Sequence, residues 1–150
     1  MTAHNSNLDK FFLVVSNKPD TPWAYTLKEA LTPLGQLHFV REEEALAQIG
    51  QRAYDLIIIA SGDIEGEIGD CVKSLRQTRL DIPLVVTTNS PTWRRAREVF
   101  RAGATDYVRR TLDKEKILSF YQGILQEPSP NLESRDISVN GYGWENNFVS

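Results

Sequence analysis

The sequence predicts an α/β domain: a five-stranded parallel sheet, doubly wound by helices as (βα)5. Three observations carry this expectation. Short apolar, β-branched runs recur between amphipathic stretches, and most boundaries between them bear a helix start or stop signal. The run Leu56–Ala60 is apolar throughout, as a strand covered on both faces by helices must be.

Phe11–Val15 is the first strand, and the turn-rich Ser16-Asn17-Lys18-Pro19-Asp20 follows it. Thr21-Pro22 supplies an N-cap and a proline suited to the first helical position. Ala24, Leu27, Leu31 and Leu34 then recur at helical spacing up to Gly35, with Pro33 expected to end the helix early. Leu37–Val40 is a short second strand. Glu42, Glu43 and Glu44 occupy the first turn of the next helix, where acidic groups suit the helix dipole, and Ala45, Leu46 and Ile49 form its apolar side. Leu56–Ala60 is the third strand and belongs in the middle of the sheet. After Ser61-Gly62-Asp63, a stripe of Ile68, Val72 and Leu75 marks a helix, and Asp81-Ile82-Pro83 leads into the fourth strand, Leu84–Thr88.

Ser90-Pro91 repeats the cap-and-proline start for a helix carrying Ala96, Val99 and Phe100 and ending at Gly103. Ala104–Val108 is the fifth strand. Thr111 or Asp113 starts a last helix with Ile117, Phe120, Tyr121 and Ile124 on one face. The division expected is an N-terminal extension over 1–9, one domain over 10–126 and a flexible tail over 127–150. That tail holds Pro128, Pro130, four Asn and four Ser without a core-forming period.

Composition narrows the function. The 150 residues include 17 Lys+Arg, 20 Asp+Glu, one Cys and two His, so a disulfide framework or a structural zinc site is excluded. The longest apolar run has five residues, against roughly 20 for a membrane span, and no basic-then-apolar leader opens the sequence. A cytoplasmic protein is the expectation. Charge is uneven: residues 1–70 carry 5 basic and 11 acidic side chains, whereas 91–116 carry 8 basic and 4 acidic. The second region has the makings of a basic face.

Five βα units place any site at the carboxyl ends of the strands of a flavodoxin-like sheet. The stretches Phe12-Leu13-Val14-Val15-Ser16-Asn17-Lys18-Pro19, Tyr54-Asp55-Leu56-Ile57-Ile58-Ile59-Ala60 and Arg101-Ala102-Gly103-Ala104-Thr105-Asp106-Tyr107-Val108 resemble a bacterial response-regulator receiver domain. The resemblance covers about residues 10–126, and the last block is the most specific. It implies an aspartyl phosphotransfer module with five side chains at one strand edge. The family's acidic metal-binding pair falls on Ser16 and Asn17, its phosphoacceptor Asp on Ala60, its switch Thr or Ser on Thr88, and its phosphate-binding Lys on Arg110, with Thr111 where a Pro usually follows.

Magnesium is a hard cation that favours carboxylate oxygens, and phosphoryl transfer to protein needs a nucleophile beside it. Ser16, Asn17 and Ala60 supply neither. Ser61 or Asp63 would have to take the acceptor role instead, and Asp63 falls past the strand end, after Gly62. With no cluster of mutually repelling carboxylates to relieve, such a fold needs no metal and holds one conformation.

A phosphorylation-independent pseudo-receiver, acting as an adaptor in bacterial signalling or regulation, is therefore the leading expectation, with no enzyme activity, no cofactor and no metal. Trp93, Arg94, Arg97, Arg101, Tyr107, Arg109 and Arg110 are the candidate partner-binding residues, on the fourth helix, fifth strand and fifth helix, a face that the resemblance links to dimerisation and partner binding. Their plainer reading is a solvated helix face. Two alternatives stay open: a nucleic-acid-associated regulator using the basic face around 94–116, and a small-ligand sensor using the vacated acidic pocket. A flavin or nucleotide site is disfavoured, because Ser16–Thr21 contains no glycine. Trp23 and Cys71 read as packing residues. In the tail, Tyr142, Trp144 and Phe148 form a candidate docking motif, set against plain disorder.

Overall fold

The computed structural model describes residues 10–126. Five parallel strands form one sheet in the order β2-β1-β3-β4-β5: β1 Phe11–Val15, β2 Gln36–Val40, β3 Leu56–Ala60, β4 Leu84–Thr88 and β5 Asp106–Arg109. β3 is central and every one of its residues is buried. The order reverses between β1 and β3, so the crevice expected of such sheets opens above the ends of those two strands.

Strand parity divides the core. Leu13, Val15, Ile57, Ile59, Leu84 and Val86 face one layer, made of α2 (Ala45–Ile49), α3 (Ile68–Thr78) and α4 (Trp93–Ala102). Phe12, Val14, Ile58, Val85 and Val108 face the other, made of α1 (Pro22–Leu31) and α5 (Lys114–Gln126). Among the described residues no helix is long and apolar enough to cross a membrane.

α1 ends at Leu31, two residues before Pro33, the early stop expected of that proline. Other boundaries move from those expected, each for a local reason. Glu42–Glu44 form a 3-10 turn rather than the start of a long helix, and the five-residue α2 turns only Ala45 and Ile49 inward. Leu46, expected on the apolar side, is 50% exposed. The cap of α4 is Thr92, whose Oγ1 accepts from Arg95 N at 3.1 Å, and not Ser90, whose N–H is taken by Thr88 Oγ1. Asp113 rather than Thr111 caps α5, accepting from Glu115 N and Lys116 N.

β5 begins two residues later than expected because Ala104 is used to close α4. Gly103 turns there with φ +118°, and Ala104 N returns to Val99 O at 2.9 Å. The buried Arg76 of α3 pins this corner. It donates to Gly103 O (2.9 Å), Ile82 O (2.6 Å), Arg79 O (3.1 Å) and Thr105 Oγ1 (3.3 Å). A Cβ on Gly103 would come within 2.8 Å of Arg76 Cγ. The most specific block of the sequence, Arg101–Val108, thus owes part of its wording to a helix stop and to this clasp.

Candidate functional site

The carboxyl ends of β1, β3, β4 and β5 bring Ser16, Asn17, Ala60, Thr88 and Arg110 to one edge of the sheet. Arg110 N bonds to Thr88 O at 2.9 Å, continuing the β4–β5 ladder, and Ser16 N bonds to Val40 O. Ala60 is fully buried and lies beside Thr87. Gly62, with φ +95°, then folds the chain back so that Asp63 N reaches Ala60 O. This turn carries the Asp63 carboxylate into the space above β3.

Asp63 Oδ2 lies 3.5 Å from Arg110 Nη2 and accepts from Ser16 Oγ at 3.2 Å. Arg110 Nη2 also donates to Ser61 O at 2.7 Å, and its guanidinium lies 4.7 Å from the centre of the buried Trp23 ring. The two charged side chains are 7% and 10% exposed. Burial pushes the Arg110 pKa down, and the Asp63 carboxylate pushes back; an arginine so partnered stays charged. Arg110 Nε is buried without a protein partner. A cleft of about 20 Å³ between Trp23, Arg110, Thr111 and Tyr121 has room for a water. The pocket expected to stand vacated is filled by an arginine and an aspartate.

A second latch closes the neighbouring loop. Asn17 Oδ1 accepts from Glu42 N at 2.9 Å, and the Glu42 carboxylate accepts from Glu65 N at 2.7 Å and Gly66 N at 2.9 Å. A Cβ on Gly66 would meet Glu42 Oε2 at 2.6 Å, so a side chain there would displace that carboxylate. Below it, burial and then Glu42 push the Cys71 thiol up to about 11.

A receiver site implies a divalent metal, and these residues do not fit one. The carboxylates nearest the site are already committed, Asp63 to a cation and a hydroxyl, Glu42 to two backbone amides. Ser16 Oγ accepts from Lys18 N. Among the described residues no group of three or more His, Cys, Asp or Glu could hold a metal ion.

On the neighbouring face, Trp93 is 54% exposed, and Arg94, Arg97, Arg101 and Arg109 are exposed. Two residues grouped with them do not belong. Tyr107 is 1% exposed; it points under α4, its hydroxyl accepts from Thr92 N, and burial raises its pKa. Arg110 is turned into the pocket. The tail residues Tyr142, Trp144 and Phe148 lie outside the described residues.

No protein-family model matches the chain, and no curated protein sequence matches it significantly. Solved structures do. A two-component response regulator from Clostridium difficile superposes with a TM-score of 0.70 at 21% identity, covering 79% of this chain and 98% of that one. The chain has the receiver fold. A CheY-like receiver domain protein from Methanospirillum hungatei JF-1 gives 0.68 at 18% identity over 77% and 93% of the two chains, and an orphan response regulator of H. pylori gives 0.68 at 15% over 79% and 98%. Within this receiver fold, Glu42 and Trp23 are site residues that the sequence reading took as structural, and Asp63, weighed there only as a substitute acceptor, is instead the partner of Arg110. The signal for Asp63 was Gly62, a residue able to turn the chain back over β3.

Proposed function

We propose that the protein is a phosphorylation-independent pseudo-receiver, an adaptor module of bacterial signalling or regulation that performs no phosphoryl transfer. The observation that carries this reading is the Ser16–Asp63–Arg110 network above Ala60. The acceptor position holds a methyl group, and the one aspartate that reaches the pocket is bound to the pocket's own cation. An attacking carboxylate needs a metal to neutralise the phosphoryl group; Asp63 has its Oδ2 held by Arg110 and Ser16, and Ser16 and Asn17 supply no acidic pair beside it to hold a metal. The arrangement favours a surface of fixed shape, displayed without a chemical trigger. Small-ligand sensing at this edge is disfavoured because Ser16, Asp63 and Arg110 are already bonded to one another.

The test is intact-mass spectrometry of the full chain after incubation with acetyl phosphate and magnesium, together with thermal unfolding in the presence of beryllofluoride. The expected result is no phosphoryl adduct and no shift of the transition. An adduct mapping to Asp63 or Ser61 overturns the proposal.

A further inference from the structure

The outward side of α4 carries a stripe of cations that no ion pair among the described residues neutralises. Arg94, Arg97 and Arg101 stand at i, i+3 and i+7, on one face over about 10 Å of helix. Trp93, half exposed, adjoins Arg97 one turn away. Among the described residues the ion pairs are Arg79–Asp81, Arg110–Asp63 and Lys114–Glu29, and none engages Arg94, Arg97 or Arg101. Glu98, the carboxylate of α4, is turned the other way, close over Gly69 of α3.

From this surface we infer that α4 docks an acidic polypeptide segment of a different protein. The inference rests on the pseudo-receiver reading, in which a surface is displayed permanently. Two-fold pairing through this face would set arginines against arginines, a like-charge contact costly in any interface. A nucleic acid fits less well. The three arginines of the stripe release few counterions. An acidic segment with an apolar side chain suits both parts of the stripe: carboxylates for the guanidinium groups, and an apolar contact for Trp93.

The test is an NMR titration of the full-length protein with poly-L-glutamate of about 20 residues, and separately with a DNA duplex of similar charge. The peptide is expected to shift the Trp93 indole and the α4 amides, with binding weakened at least about tenfold in Arg97→Glu/Arg101→Glu. Lys28→Glu/Lys73→Glu, which changes the total charge equally on other helices, should bind as the wild type does. The inference is overturned if the shifts lie elsewhere or are absent, if the control variant loses binding equally, or if the duplex binds more tightly. It is also overturned if light scattering shows a dimer that Arg97→Glu/Arg101→Glu dissolves. The phosphorylation assay is independent of each outcome, so failure of one reading is separable from failure of the other.

Discussion

Replacing Asp63 by Ala leaves the Arg110 guanidinium 7% exposed with Ser61 O as its hydrogen-bond acceptor, and leaves Ser16 Oγ without an acceptor. Removing one partner of a fully buried ion pair costs about 3–5 kcal/mol. Here the separation is 3.5 Å and one strong hydrogen bond to Arg110 remains, which places the loss nearer 2–3 kcal/mol. Arg110→Met removes the cation together with its stacking on Trp23 and strips Ser61 O of its donor, for a similar cost. In the double variant neither charge is stranded. The double-mutant cycle is therefore expected to show a coupling of about 1–3 kcal/mol, read from urea unfolding of the four proteins at neutral pH. A coupling below about 0.5 kcal/mol would mean that the ions are solvated independently, and the argument for a pocket locked by its own charges would fail.

Arg76→Met removes four donated hydrogen bonds and strands the buried carbonyls of Gly103 and Ile82, for an expected loss of about 3 kcal/mol or more in urea unfolding. Cys71, with its thiol pushed up to about 11, should react with a disulfide reagent at pH ~8 at roughly a thousandth of the rate of a full thiolate, and Glu42→Gln should raise that rate. Tyr54 Oη accepts from Gln48 Nε2 and shares a hydrogen bond of 3.1 Å with His38 Nδ1; burial, and then Arg52, lower the His38 pKa. Its contribution to stability is present above the unfolded value of 6.5 and is lost as the pH falls through the lowered folded value. The urea midpoint of the wild type should accordingly drop more between pH ~7.5 and ~5 than that of His38→Phe.

The fold was legible because each strand is a short apolar run whose alternate residues must be covered from opposite sides. Leu56–Ala60 in particular cannot be anything but central. The positions of the site were legible through the resemblance, which sets Ser16, Ala60, Thr88 and Arg110 at the strand ends. What took their place was not. Asp63 enters the pocket through a positive-φ turn at Gly62, and the carboxylate of Glu42 travels across to the Glu65–Gly66 loop. Neither contact is local in sequence, so no periodicity reveals it. Tyr107 was misplaced for a related reason: on a four-residue strand, the helix it passes under decides which side is the interior.

The turn at Gly62 also bears on how this chain could change over time. Placing an aspartate at position 60 would set a second carboxylate in a fully buried place beside Asp63, with Arg110 as the cation shared between them. Two such acids cannot both ionise cheaply, so one would keep its proton and be a poor nucleophile. A chargeable acceptor at that position therefore needs Asp63 removed first, which strands Arg110, and then acids at positions 16 and 17, which dismantles the Asn17–Glu42 contact. Each of these steps removes a contact the pocket now holds, so a pocket closed by its own ions is hard to open by single steps.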